Sequence, residues 1–307
     1  MKTPLALFAY NRPDHFRQTL EALTRCARLE ECDVYIFCDA PKREEQRPKV
    51  EATRRVACEY EKILRATLIE REANVGLARS IAGETTNLCE RYGRAIIVED
   101  DLIVSPNFIN FMLSGLDRYE NDERVYQIAG YLFPISYQPK QDAFFMPLTT
   151  SWGWATWRRA WQVFEWNPVG MTDLLDDEML RSKFDLDDSF PYSKMLRARL
   201  MGENDSWAIL WWYIVFKRGG LVLYPKQSLV WNTGVDGTGT HSGYDPSFVQ
   251  MPVDTLLPFT YSFLDEVSSD TAAFTKTKNT LRKRYGSKTM LARISTYLKR
   301  VVHLPIQ

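Results

Sequence analysis

The sequence predicts an α/β fold, a mostly parallel sheet flanked by helices. Three observations lead there. Strand-like and helical patterns alternate over residues 5–98. Each strand-like run ends in polar or charged residues, as strands do where a sheet's carboxyl edge meets a ligand. At 307 residues the chain can also bury a substantial core.

Taken in order, Leu5–Tyr10 reads as a strand, Pro13–Cys26 as an amphipathic helix, Val34–Cys38 as a strand and Glu44–Leu64 as a helix. Thr67–Ile69 is a short strand, Gly76–Arg91 a helix and Ala95–Val98 a strand. A repeated βα order argues for parallel pairing with helices on both faces. The strand ends carry Asn11-Arg12, Asp39, Arg71-Glu72 and Glu99-Asp100-Asp101. Any one of these fits an ordinary polar turn; together they point to one convergent ligand site.

Composition excludes several classes of function. Lys+Arg and Asp+Glu both number 39, so no long-range attraction to nucleic acid is expected. The five cysteines, Cys26, Cys32, Cys38, Cys58 and Cys89, show no CxxC spacing and read as buried reduced thiols. The opening MKTPLALFAYNRP lacks the features of a secretory peptide, and the apolar run Ala208–Phe216 is too short to span a bilayer. A cytoplasmic location is the expectation.

The strongest local signal is Ile96-Ile97-Val98-Glu99-Asp100-Asp101. Three successive carboxylates after an apolar strand repel one another, and a divalent cation with oxygen ligands relieves that repulsion. The apolar Leu102-Ile103-Val104 and a helix from Asn107 would hold the turn against the sheet. A solvent-facing acidic loop is the alternative.

Val98-Glu99-Asp100-Asp101-Leu102, followed by Ser105-Pro106-Asn107-Phe108, resembles the acidic metal-binding motif of GT-A glycosyltransferases of the N-acetylglucosaminyltransferase I type. Ala9-Tyr10-Asn11-Arg12 resembles the family's first strand end, where an arginine approaches the nucleotide. Phe37-Cys38-Asp39 resembles the second, where an aspartate reads the uracil. Ser151-Trp152-Gly153-Trp154 through Trp161 looks like the Gly-Trp loop and helix bordering donor sugar and acceptor. Asn204-Asp205-Ser206-Trp207 resembles the motif of the catalytic base, although Ser206 replaces the second of two acids. Gly239-Thr240-His241-Ser242 resembles a late loop that closes over the donor.

The resemblance implies a GT-A, Rossmann-like fold with an elaborated acceptor-side half, and a metal-dependent inverting transfer from a nucleotide diphosphate sugar, a UDP-sugar in the first instance. Asp101 would bind Mn²⁺ or Mg²⁺, with Asp100 on the ribose or a metal-bound water and Glu99 on the transferred sugar. Arg12 would face phosphate, Asp39 the base, and His241 the diphosphate or metal. Asp205 would be the general base, in the first turn of a buried helix, with Glu203 and Glu165 in reserve. The acceptor would be a saccharide or lipid-linked saccharide, as in surface polysaccharide biosynthesis.

Trp154, Trp157 and Trp161 recur at the spacing of one buried helical face, whereas Trp152 and Trp154 flank Gly153 where a flat ring could stack on a sugar. Residues 1–270 read as the catalytic domain, with 1–120 the nucleotide-binding half and 121–270 the acceptor half. Residues 271–307 carry nine Lys or Arg and no Asp or Glu, with apolar residues at helical intervals. Such a tail can lie peripherally on an anionic membrane or dock on the domain. Two other functions compete. A sugar nucleotidyltransferase would need a glycine-rich first loop, which Phe8-Ala9-Tyr10-Asn11-Arg12 does not supply. A non-catalytic carbohydrate- or nucleotide-binding protein of the same fold would have no need of the acids.

Overall fold

The computed structural model describes residues 2–234 and 260–285. Its strands are β1 (Thr3–Ala9), β2 (Cys32–Cys38), β3 (Thr67–Glu70), β4 (Arg94–Glu99), β5 (Leu102–Val104), β6 (Val125–Ala129), β7 (Ala143–Met146), β8 (Trp154–Trp157), β9 (Leu221–Pro225) and β10 (Val230–Asn232). Eight of them form one sheet in the order β3-β2-β1-β4-β8-β6-β9-β7, and β5 pairs with β10 in a second, two-stranded sheet. The strands from β3 to β4 are mutually parallel, and β9 is parallel to β6. Antiparallel β8 lies between β4 and β6, and β7 closes the far edge antiparallel to β9. The expected mostly parallel α/β architecture is therefore present, with a mixed second half.

The helices are α1 (Pro13–Thr24), α2 (Arg47–Leu64), α3 (Leu77–Tyr92), α4 (Phe108–Arg118), α5 (Arg158–Trp161), α6 (Met171–Asp176), α7 (Glu178–Phe184), α8 (Tyr192–Leu200) and α9 (Trp207–Lys217). β1 is buried along its whole length and β4 from Ala95 to Val98, as strands covered on both faces must be. Proline in the first turn starts α1 and α2, where its missing N–H costs nothing. Gly93 ends α3 in the left-handed region, at φ 81°. Against the sheet α3 packs on β1 and β4. α9 is buried nearly all round, so it sits inside the second half of the molecule rather than on its surface.

The structure corrects two expectations. Trp154 and Trp157 belong to strand β8, and the helix begins only at Arg158. All four β8 residues are buried, so the strand shows no alternation, and running directly into α5 it mimics a helical spacing. Asp205 lies outside α9: Ser206 is the cap, its side chain accepting from the Ile209 N–H, because a hydroxyl there satisfies a first-turn donor. Of the two readings of the basic tail, the described part matches the docked one. A helix over residues 271–285 buries Ala273, Thr277 and Leu281, one residue per turn, and Lys278 pairs with Asp187. The membrane reading of the remaining tail, residues 286–307, lies outside the described residues. No described helix is long and apolar enough to cross a membrane.

Candidate active site

The carboxyl edge of the parallel strands gathers the site. β4 ends at Glu99, and the chain turns through Asp100 and Asp101 into β5. On one side β1 delivers Tyr10 and Arg12 before α1 begins. The Tyr10 backbone N–H donates to Asp100 Oδ2 at 3.1 Å, and Arg12 Nη1 donates to Asp101 Oδ2 at 2.7 Å. Thr19, two turns into α1, donates its hydroxyl to the Asp100 carbonyl at 2.9 Å. On the other side β10 ends over the same turn, with Thr233 donating its N–H and its hydroxyl to the Asp101 carbonyl at 2.9 and 3.0 Å. The acidic turn is thus fixed by its backbone, while its carboxylates face the edge.

Charge accumulates there. Burial pushes the Glu99 carboxyl well above the usual carboxylate range, aided by Asp101 and Asp100 and opposed by Arg12. Asp100 is pushed up to about 7, by burial first and by Asp101 second. Burial also raises Asp101, with Arg12 pulling it back. The turn still reaches solvent, since the Asp101 side chain remains 18% exposed. His15, on the first turn of α1, adds a smaller electrostatic pull that lowers the Asp101 carboxyl.

The other expected residues fall in different surroundings. Asp39 ends β2 at the same edge, but its carboxylate is occupied by backbone. Oδ1 accepts from the N–H groups of Ala40 and Val75 at 3.0 and 3.1 Å, and Oδ2 from that of Gly76 at 3.0 Å. Asp39 therefore holds the loop entering α3, and of about four acceptor positions on a carboxylate one is left for a ligand. Gly153 and Trp154 are corrected as wall residues of a sugar pocket. Trp154 is 0% exposed, its ring stacked on Trp207 with centroids 5.1 Å apart. Gly153 is buried at φ 63°, and a Cβ there would lie 2.9 Å from Val230 Cγ2, so this glycine is required by packing. Trp152 alone of the three keeps partial exposure, its ring edge-on to Tyr131 at 4.5 Å. Because Trp154 pairs with Ile97, Trp152 sits at the Glu99 edge of the sheet.

Asp205 is exposed, two residues before Trp207, whose ring contacts both Trp154 and Trp161. Glu203 is also exposed. Glu165 lines a cavity of about 280 Å³ with Val163, Tyr213, Lys217 and Arg218, at the far end of α9, roughly 15 Å from Trp207 at 1.5 Å per residue. His241 lies outside the described residues.

The glycine-rich stretch from Gly234 to Gly243 reads in sequence as a loop ordered by ligand, without showing that Gly234 meets Asp101. A Cβ at Gly234 would stand 1.9 Å from Asp101 Oδ2 and 2.7 Å from Arg12 Nη1, so its backbone lies directly on the ion pair. The glycine-rich stretch beginning at Gly234 was the available signal. Only the contact of β10 with β5 shows which acid that stretch covers.

A hard divalent cation fits this turn. The donors are all carboxylate oxygens crowded and buried at one turn, and a bound cation would favour their charged forms. Among the described residues no group of three or more His, Cys, Asp or Glu is arranged to hold a metal ion by itself. Such a cation would therefore share Asp101 with oxygens supplied by ligand and water, as magnesium-type sites do.

No protein-family model and no curated protein sequence matches the chain. Solved structures similar to it include Staphylococcus aureus TarS 1-349, at 14% identity and TM-score 0.36, over 52% of this chain and 47% of that one. A second is the mannosyltransferase PcManGT from Pyrobaculum calidifontis in complex with GDP-Man and Mn²⁺, at 11% identity and TM-score 0.38, over 70% and 73% of the two chains. A third is GalNAc-T7 with UDP, GalNAc and Mn²⁺, at 10% identity and TM-score 0.43, over 75% and 42%. The matched region spans less than half of the TarS and GalNAc-T7 chains.

Proposed function

We propose that this chain is a metal-dependent inverting glycosyltransferase of GT-A type, moving a sugar from a nucleotide diphosphate donor, a UDP-sugar in the first instance, to a saccharide or lipid-linked saccharide. The observation that carries the reading is the acidic turn after the central strand β4, with three carboxylates at a carboxyl edge and Arg12 reaching them from the start of α1. A purely structural turn gains nothing from crowding three acids whose charged forms burial disfavours. A diphosphate site needs a counter-ion held by it.

In this reading Asp101 holds Mn²⁺ or Mg²⁺, which when bound supplies positive charge for the departing diphosphate. Arg12 adds a second cation on the phosphates. Asp100 meets the ribose or a metal-bound water, and Glu99 the hydroxyls of the transferred sugar. Asp39 keeps the loop of residues 74–76 in place and offers its remaining lone pair to an N–H of the base. Trp152 covers the sugar and excludes water from the anomeric carbon. His241 contributes to the diphosphate side. Asp205 takes the proton of the acceptor hydroxyl as its oxygen bonds to the anomeric carbon. The bond to phosphate breaks in the same step and its electron pair leaves on the diphosphate, which inverts the configuration.

The test is release of free nucleotide from a panel of UDP- and GDP-sugars, in Mn²⁺ and in EDTA, with short oligosaccharides as acceptors. Mn²⁺-dependent release from at least one donor is expected. Tight nucleotide binding without release from any donor would instead establish a non-catalytic binding protein.

A further inference from the structure

We propose that Arg12 is an internal counter-ion that occupies Asp101 until a diphosphate draws it away, so that cation and nucleotide depend on each other through this one side chain. The proposal rests on the glycosyltransferase reading above. Arg12 Nη1 lies 2.7 Å from Asp101 Oδ2, and the two side chains are only 14% and 18% exposed. The backbone at Gly234 covers both partners, at a distance where a Cβ would overlap the carboxylate oxygen. Thr233 fastens that covering segment to the Asp101 carbonyl through two hydrogen bonds.

A divalent cation approaching Asp101 alone therefore meets a guanidinium on the oxygen it needs. Both are positive, and in a half-buried setting their repulsion is poorly screened. A diphosphate changes the competition. It offers the planar guanidinium a doubly hydrogen-bonded partner of higher charge, and frees the carboxylate oxygen for the cation. Arg12 can turn from one to the other by rotating about its own side-chain bonds. At Arg12 the backbone has already left β1, and its side chain makes no cap bond to α1.

The experiment is titration of Mn²⁺, followed by the electron paramagnetic resonance signal of the free ion, on the intact chain with and without UDP, and with GDP as a second nucleotide. Arg12→Gln should bind Mn²⁺ about tenfold more tightly than wild type in the absence of nucleotide. UDP should strengthen Mn²⁺ binding in wild type far more than in Arg12→Gln, and Arg12→Lys, which keeps the charge but not the planar fork, should bind free Mn²⁺ as weakly as wild type. Circular dichroism and thermal melting check that the variants fold. Arg12→Gln binding free Mn²⁺ no better than wild type, or an undiminished response to UDP, would overturn the proposal. Equal Mn²⁺ binding by wild type and Asp101→Ala would instead overturn the metal site itself, an outcome that Asp101→Ala separates from failure of the Arg12 exchange.

Discussion

Two acidic turns of this molecule look alike in sequence and differ in their partners. Glu99-Asp100-Asp101 follows β4, and Asp185-Leu186-Asp187-Asp188 follows α7. In the second, every carboxylate is answered by a protein group. Asp185 accepts from the N–H and hydroxyl of Ser193, both at 2.6 Å, Asp187 meets Lys278 at 2.6 Å, and Asp188 accepts from the Ser182 hydroxyl at 2.9 Å. Those bonds hold a backbone with three successive residues in the left-handed region, at φ 57°, 53° and 58°, a conformation that disfavours Leu186 in particular. In the first turn Arg12 bonds Asp101, Asp100 receives one backbone N–H, and burial with mutual repulsion raises the carboxyls at a solvent-reaching edge. Adjacent acids signal chemistry only where the protein leaves them uncompensated.

Substitutions can break this contrast. Asp101→Ala should reduce transfer to background while the chain still folds, because the diphosphate loses its counter-charge. Asp185→Ala should do the reverse. It strands the buried donors of Ser193, costing about 2–3 kcal/mol in urea denaturation, and leaves activity per folded molecule unchanged. Retained activity in Asp101→Ala would make the two turns equivalent and remove the distinction. Next in size, Asp205→Asn should cut turnover by about 10²-fold with UDP affinity within about twofold, since only the transition state uses the base. Near-normal turnover would reduce Asp205 to a neighbour of the Ser206 cap and move the search to Glu203. Gly234→Ala should weaken Mn²⁺-dependent UDP binding by roughly tenfold, because the added methyl must displace the Asp101 carboxylate and a small misplacement of a positioned group is costly. Unaltered binding would mean that the covering segment moves away at no cost. The smallest effect is expected at Trp152→Ala, which should raise donor hydrolysis relative to transfer without abolishing either. An unchanged ratio would place Trp152 outside the sugar pocket.

The first half of the molecule was legible because its signals are local. Apolar runs ending in polar residues gave β1 to β4, and the acids after β4 stood out because apolar residues flank them on both sides. The second half depends on contacts that have no period. β8 is buried on both faces and flows into α5, so its tryptophans copied a helical spacing. The role of Asp39 was hidden because its three donors come from residues 40, 75 and 76, and only the fold brings the latter two to it. Gly234 lies 133 positions beyond Asp101 in the sequence, and β10 pairing with β5 is what sets one upon the other.

The most direct measurement is calorimetric titration of UDP into the purified chain, first in Mn²⁺ and then in excess EDTA, with Asp101→Ala alongside. The account predicts clear binding of UDP in Mn²⁺ that is lost in EDTA and strongly weakened in Asp101→Ala, because the acidic turn holds the nucleotide through a cation. Equal UDP affinity in Mn²⁺ and EDTA, or an Asp101→Ala chain that binds as wild type does, would contradict it.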